Sequence, residues 1–360
     1  MEGDTLKVGV LTINDNNNYG NRLQNYAVCK IVSKLGHTCE TINNFSGDSS
    51  RNYKQNIKYL IKKLSPIKKH NYSYKRYKNF ISFNDNIKFS KYIIKNYNVP
   101  KNLNELYDYF ITGSDQVWNP NFTRLSKVDL LSFASPTKRI SFSASFGISK
   151  LPSKYIEIVK KELTKFKAIS TREESGRKII EKATKRKDIE VLIDPTLLLS
   201  NDEWDEIAKK PSMLKTNKFI LVYFLGALSQ DKMDEINDIA EKNEYKVINI
   251  LDINSEYYAC GPSEFLYLEK NASLICTDSF HSCVFSMLYN TPFIVYERED
   301  SNEFNMNTRI ENFLAKFHLE DRKYNSTNIE KLLKCNYGIA HNVLEKEKEK
   351  SLCFLKNNLK

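Results

Sequence analysis

KVGVLTI (residues 7–13), NDNNNYG (14–20) and NRLQNYAVCKIVSKL (21–35) stand in immediate succession. The first is a short apolar run with β-branched residues, bounded by turn formers, which reads as a buried strand. The second carries the loop, at Asn18–Gly20. In the third, Leu23, Tyr26, Ala27, Lys30, Ile31 and Lys34 are spaced to give a helix one inner and one outer face. Gly36 follows where a helix stop calls for a residue able to adopt positive φ. A further strand is expected at Thr38–Asn43. Strand, loop, helix, strand is the opening of a parallel α/β sheet, because the helix carries the chain back to start the next strand in the same direction.

The alternation continues. Strands are expected at Tyr107–Thr112, Arg139–Ser145, Ala168–Thr171 and Glu190–Asp194, with helices at Ser153–Phe166 and Glu173–Lys182. The polar stretch Asn201–Asn217 reads as a connection. A second series then offers strands at Lys218–Leu225, Lys246–Ile250, Ala272–Thr277 and Pro292–Tyr296, with helices near Lys232–Lys242 and from Asp278–His281. A chain of 360 residues is too long for one ordinary core. The expected architecture is α/β, with two Rossmann-like domains facing across a cleft: residues 1–200 and 201–330, followed by a charged helical tail over 331–360. Residues 51–101 break the alternation, because Asp85 is their only acid among many lysines and interleaved tyrosines. They are expected to be a basic helical insertion on the first domain.

Hydrophobic residues make up 41% and charged residues 28%, enough apolar material for packed layers. A net charge of +11 favours anionic partners without choosing among them. The seven cysteines are odd in number, scattered and without a C-x-x-C pair, which points to a reducing compartment and away from a zinc site. MEGDTLKVGVLTI has no basic segment followed by an apolar one, and no apolar run approaches the ~20 residues of a membrane span. The expectation is a cytoplasmic protein, at most peripheral on the inner face of a membrane.

In a parallel sheet, ligands gather outside the carboxyl ends of the strands. That rule selects Asn14–Asn21, Gly113–Trp118, Ser143–Gly147, Thr171–Ser175 and Thr277–Ser282. In the last of these, Asp278 or Ser279 reads as a helix cap, and His281 falls in the first turn near the positive end of the helix dipole. There it is placed to meet an anion or exchange a proton, or is simply structural. Arg172 follows a strand end; its guanidinium suits a carboxylate or phosphate, the alternative being a surface ion pair with Glu173 or Glu174. Asp115 and Gln116 sit in a tight turn as a sugar ligand or base, or as a cap beside a core plug, Trp118. Asn18 and Asn21 flank Gly20 as acceptor contacts or as a cap and turn. Glu303 and Glu311 have the spacing of an E-x7-E glycosyltransferase motif but lack its glycine and alanine context, and read as one face of a helix.

KVGVLTINDNNNYGNRLQNYAV, ITGSDQVWNP, ISFSASFG, STREESG, VLIDPTLLL and ICTDSFHSCVFSMLYNTPFIVYE resemble, in order, the segments of the polysaccharide pyruvyl transferase family. The resemblance implies a glycosyltransferase-B-like fold, phosphoenolpyruvate as donor, and ketal-forming transfer to a sugar of a cell-surface polysaccharide or its lipid-linked precursor. It implies that Arg172 and His281 bind or act on the donor; the second domain is expected as the phosphoenolpyruvate side and the first as the acceptor side. In some relatives an arginine stands two residues before the histidine; here Ser279 occupies that place, with Arg309 as the substitute and Arg298 behind it. In distant relatives an acid takes the place of Asn21.

That chemistry asks for an acid at the donor methylene, assigned to His281, cations for its carboxylate and phosphate, and a base at the sugar hydroxyl, assigned to Asp115; it requires no metal and no organic cofactor. Ile57–Leu64, with basic and apolar residues interleaved, suggests contact with an anionic membrane face. Two rival readings remain: a nucleotide-sugar glycosyltransferase on the same fold, and a nucleic-acid-binding protein using the basic tyrosine-rich segment. Against the second, the basic stretch belongs to one half only and no nucleic-acid module is present.

Overall fold

The computed structural model describes residues 4–47, 72–122, 124–298, 307–324 and 329–360. They form two compact units. Residues up to 47, Asn84–Leu198 and Glu347–Lys360 make the first; Tyr72–Phe83 and Leu199–Lys346 make the second.

The first unit is a parallel sheet of β1 (Lys7–Leu11), β2 (Thr38–Phe45), β3 (Phe89–Lys95), β4 (Tyr109–Thr112), β5 (Arg139–Ala144), β6 (Ala168–Thr171) and β7 (Ile189–Val191). Its order is β3-β2-β1-β4-β5-β6-β7. The central strands β1, β4, β5 and β6 are buried along almost their whole length, as expected where helices cover both faces of such a sheet. Helix α1 (Tyr19–Lys34) returns the chain from β1 to β2, and Gly36 ends the turn after it with φ +87°. The core gathers around Phe110, Trp118, Phe146 and Ile169. Since β1 lies between β2 and β4, the connections leave in opposite directions there, which opens a crevice at the carboxyl ends of β1 and β4.

The second unit repeats the plan with β8 (Phe219–Tyr223), β9 (Lys246–Asn249), β10 (Leu274–Thr277) and β11 (Phe293–Val295), in the order β11-β10-β8-β9, all parallel. Its switch point lies between β8 and β10.

The segment expected as a helical insertion differs from that reading. Its described part holds α2 (Tyr72–Phe83) and then the edge strand β3. An edge strand buries one side and guards the other with charge. Lys91 and Lys95 therefore face solvent while Ser90 and Ile94 are buried, which is why the stretch looked like a solvated insertion. Moreover, α2 belongs to the second unit. The Arg76 guanidinium donates to the carbonyls of Tyr258 and Cys260 at 3.4 and 3.3 Å, and the Asn79 amide donates to the Ala259 carbonyl at 2.8 Å. Residues 51–71, including Ile57–Leu64, lie outside the described residues. Among the described residues no helix is long and apolar enough to cross a membrane.

Helices α3 (Ile156–Leu163), α4 (Glu174–Thr184), α5 (Gln230–Asn243), α6 (Pro262–Asn271), α7 (Phe280–Tyr289), α8 (Asn307–Phe317) and α9 (Gly338–Asn358) complete the main elements. The charged tail at 331–360 contains α9, and the division between the units falls within that helix, after Lys346. Its end is fixed to the first unit. Lys350 donates to the Val191 carbonyl at 2.9 Å, Lys167 donates to the Asn358 carbonyl at 2.7 Å, and Phe354 stacks on Phe142.

Candidate active site

At the first switch point, Asn18 caps α1 and accepts from the Asn21 backbone N–H at 3.2 Å, so the cap reading of these two residues is realised. Gln24, one turn further on, ties the two crevice loops together. Its Nε2 donates to Thr12 Oγ1 at 2.7 Å and to the carbonyls of Ile13 and Asn21, while its Oε1 accepts from the Ser114 N–H at 3.1 Å.

Beyond β4 the chain turns sharply. A Cβ on Gly113 (φ +122°) would lie 2.2 Å from the Phe142 carbonyl oxygen, so only glycine fits. Asp115 follows with φ +64°, a conformation that Asp tolerates better than most residues. Its carbonyl accepts from the Ser145 N–H at 2.9 Å, and its side chain meets Arg172. Gln116 is buried against Gly147, where a Cβ would come within 2.0 Å of its Nε2. Trp118 is the core plug: its ring packs on Phe146 and Phe166, and its Nε1 donates to the Asp129 carbonyl.

Arg172 is no surface residue; its side chain is 4% exposed. Nη1 donates to Asp194 Oδ2 at 2.9 Å, Nη2 donates to Asp115 Oδ1 at 3.3 Å, and Glu173 Oε2 lies 3.9 Å from Nε. Burial alone would favour the neutral guanidine, but Asp115, Asp194 and Glu173 together push its pKa above the ordinary value. Glu174 pairs with Arg177 instead. Asp194 is the organising carboxylate: it also accepts from Ser114 Oγ at 2.9 Å, and from the Thr196 backbone N–H and Oγ1 at 3.0 and 2.8 Å. Sequence reasoning passed over it. The available signal was an acid at a strand end, in Asp194-Pro195-Thr196.

In the second unit a carboxylate plays the part that Gln24 plays in the first. Asp278, just past β10, accepts from the backbone N–H groups of Leu225 and Gly226 at 2.6 and 2.8 Å, which fixes the loop after β8. It also pairs with Arg298 Nε at 2.8 Å. Ser279 stands at the N-cap of α7 without a side-chain cap bond, and its N–H donates to Thr277 Oγ1. His281 lies in the first turn, 7% exposed, with its ring edge-on to Phe280. Phe280 in turn meets Phe313 of α8, the helix whose first turn carries Arg309. Glu311 of the E-x7-E pair contacts Lys323, whereas Glu303 lies outside the described residues. Among the described residues no group of His, Cys, Asp and Glu is arranged to hold a metal ion.

Beneath His281, Ser282 Oγ donates to Glu269 Oε1 at 2.6 Å. Glu269 is wholly buried, and burial pushes its carboxyl well above the ordinary 4.5, with bonds from Ser282 and Ser286 offsetting part of the effect. The folded chain therefore binds a proton that the unfolded chain releases above about pH 4.5, and stability falls as pH rises beyond that point. Glu269→Gln removes the proton uptake. Its melting midpoint should rise relative to the parent between pH 5.5 and 8.5, and parallel pH profiles for the two proteins would refute the assignment.

Residues 18–301 match the family model described as polysaccharide pyruvyl transferase. The chain belongs to that family. The match spans both units and contains Asp115, Arg172, Asp194, Asp278 and His281; Arg309 stands just beyond it. Membership makes the chain a transferase and implies a sugar or polysaccharide acceptor. No curated protein matches the sequence. Solved structures similar to this pyruvyl transferase family member are far more distant. A candidate UDP-N-acetylglucosamine 2-epimerase from Listeria monocytogenes is 10% identical with a TM-score of 0.47, covering 94% of each chain. A glycosyltransferase from Rickettsia africae is 12% identical with a TM-score of 0.43, covering 99% of this chain and 100% of its own. The UDP-GlcNAc 2-epimerase of Methanocaldococcus jannaschii is 11% identical with a TM-score of 0.42, covering 95% and 99%. At such scores these likenesses carry no inference about activity.

Proposed function

We propose that this pyruvyl transferase family member moves the enolpyruvyl group of phosphoenolpyruvate onto a sugar of a cell-surface polysaccharide or its lipid-linked precursor and closes it as a ketal. Protonation of the donor methylene creates an oxocarbenium-like centre at C2. One sugar hydroxyl attacks there, losing its proton to a base. The C2–phosphate oxygen bond breaks, phosphate leaves, and a second hydroxyl closes the ring with loss of its own proton. His281 is the donor-side acid or phosphate partner, with Ser279 and Arg309 as further donor contacts. Asp115 is the acceptor-side base, with Asn18, Asn21 and Gln116 as acceptor contacts.

Arg172 carries two tasks in this proposal. Both terminal nitrogens already serve carboxylates, so its first task is to hold Asp115 in place and offset the charge of Asp115 and Asp194. Its second is the donor clamp that the family resemblance implies. The observation that carries the proposal is the family match over residues 18–301, with Asp115, Arg172 and His281 each just past the carboxyl end of a parallel strand.

The test is phosphate release from phosphoenolpyruvate across galactosides, mannosides and glucosides, with mass spectrometry of the product. Acceptor-dependent release and a pyruvate ketal are expected. Turnover of a nucleotide sugar, with phosphoenolpyruvate untouched, would establish the glycosyltransferase alternative instead.

A further inference from the structure

Arg22 has no part in the proposal above. It lies in the first turn of α1 and is 0% exposed. Nε, Nη1 and Nη2 all lack a hydrogen-bond partner among the described residues. Its guanidinium lies over the Phe89 ring, with Cζ 5.5 Å from the centroid. Burial lowers its pKa to about 10, so at neutral pH it remains a cation. Cys29, two turns further along α1, and then Asp15 lie in its field, and neither makes a hydrogen bond to it. Burial pushes the Asp15 carboxyl above its ordinary range, and a hydrogen bond from the Asn17 backbone, with the charges of Arg124 and Arg22, offsets only part of that effect.

Buried guanidinium groups are normally paired, because an enclosed charge with unmet donors is expensive and each exception calls for an explanation. Here a planar fork of five N–H donors extends from the first turn of a 16-residue helix whose N-terminus follows the carboxyl end of β1. We propose that Arg22 is the receptor of a phosphate-class anion, held by its guanidinium at the N-terminal turn of α1. A phosphate presents several acceptor oxygens and more than one negative charge, matching both the fork and the helix end. Because the side chain is enclosed, the anion reaches it by displacing part of the loop before α1, where Asn17 is exposed and Asp15 and Asn16 are half-buried. The inference rests on Arg22 and its surroundings and does not require pyruvyl transfer.

The experiment is a titration of the intact chain, by calorimetry and by thermal midpoint, with inorganic phosphate, inorganic pyrophosphate, phosphoenolpyruvate and, as a carboxylate control, pyruvate. A saturable rise in midpoint is expected with at least one phosphate compound and not with pyruvate. Preference for phosphoenolpyruvate identifies the donor as the source; preference for pyrophosphate identifies a diphosphate on the acceptor. Arg22→Met should weaken binding at least about tenfold. In phosphate-free buffer it should melt no lower than the parent, because an apolar side chain of similar length removes an unpaired buried charge. Absence of any phosphate response in the parent, an equal response to pyruvate, or an unweakened response in Arg22→Met would overturn the proposal. So would a variant that unfolds or melts well below the parent, since Arg22 would then be structural.

Discussion

Replacing His281 by glutamine is expected to lower turnover by about 10²–10⁴-fold, the range supplied by one positioned acid or base. The fold should survive the change, because the surroundings of His281 are held by other residues. Asp278 fixes the loop after β8 through two backbone N–H groups, and Glu269 holds the first turn of α7 through Ser282. Glutamine keeps a polar side chain of similar reach but cannot deliver a proton at neutral pH. The division between kcat and KM then identifies the role. A loss in kcat places the proton transfer on His281, whereas a rise in KM for phosphoenolpyruvate at constant kcat reduces it to a phosphate contact. A folded His281→Gln protein with parental kcat and KM would remove His281 from the chemistry.

The second large effect is expected at Asp194, which no acceptor or donor is proposed to touch. Asp194→Ala takes one carboxylate from the buried Arg172 and removes the oxygens that accept from Ser114 Oγ and Thr196 Oγ1. Breaking a buried pair from one side typically costs about 3–5 kcal/mol, because a charge is left uncompensated. Turnover should fall as well, since Arg172 bridges Asp194 to Asp115, the proposed base. Asp194 is in this sense a positioning residue. Denaturant unfolding measures the stability change, and a double-mutant cycle with Arg172→Met separates its parts. The double variant should be less destabilised than the sum of the two single ones, because the stranded cation is gone. Strict additivity, or a cost below about 1 kcal/mol for Asp194→Ala, would show that the pair contributes no more than an exposed ion pair.

Much of the fold was legible because a strand or helix is written in residues that are neighbours in the chain. Ala168–Thr171 was placed residue for residue, and β1, α1, β5 and β10 to within a few residues. From parallel strands alone it followed that Asp115, Arg172 and His281 stand at carboxyl ends. Periodicity records which face of a local element is buried, and nothing more. It did not distinguish the Lys-rich edge strand β3 from a solvated insertion, since one buried face out of two leaves a weak pattern.

What lay beyond it were partnerships between distant residues. Arg172 meets Asp115 and Asp194 across 57 and 22 residues, and Arg76 of α2 reaches the Cys260 carbonyl across 184. The end of α9 closes on Val191 across 159. These choices depend on which side chains become close once both sheets exist, and on which buried charge then finds a counter-charge. That energy belongs to three-dimensional proximity and desolvation, which leave no spacing in the chain to read.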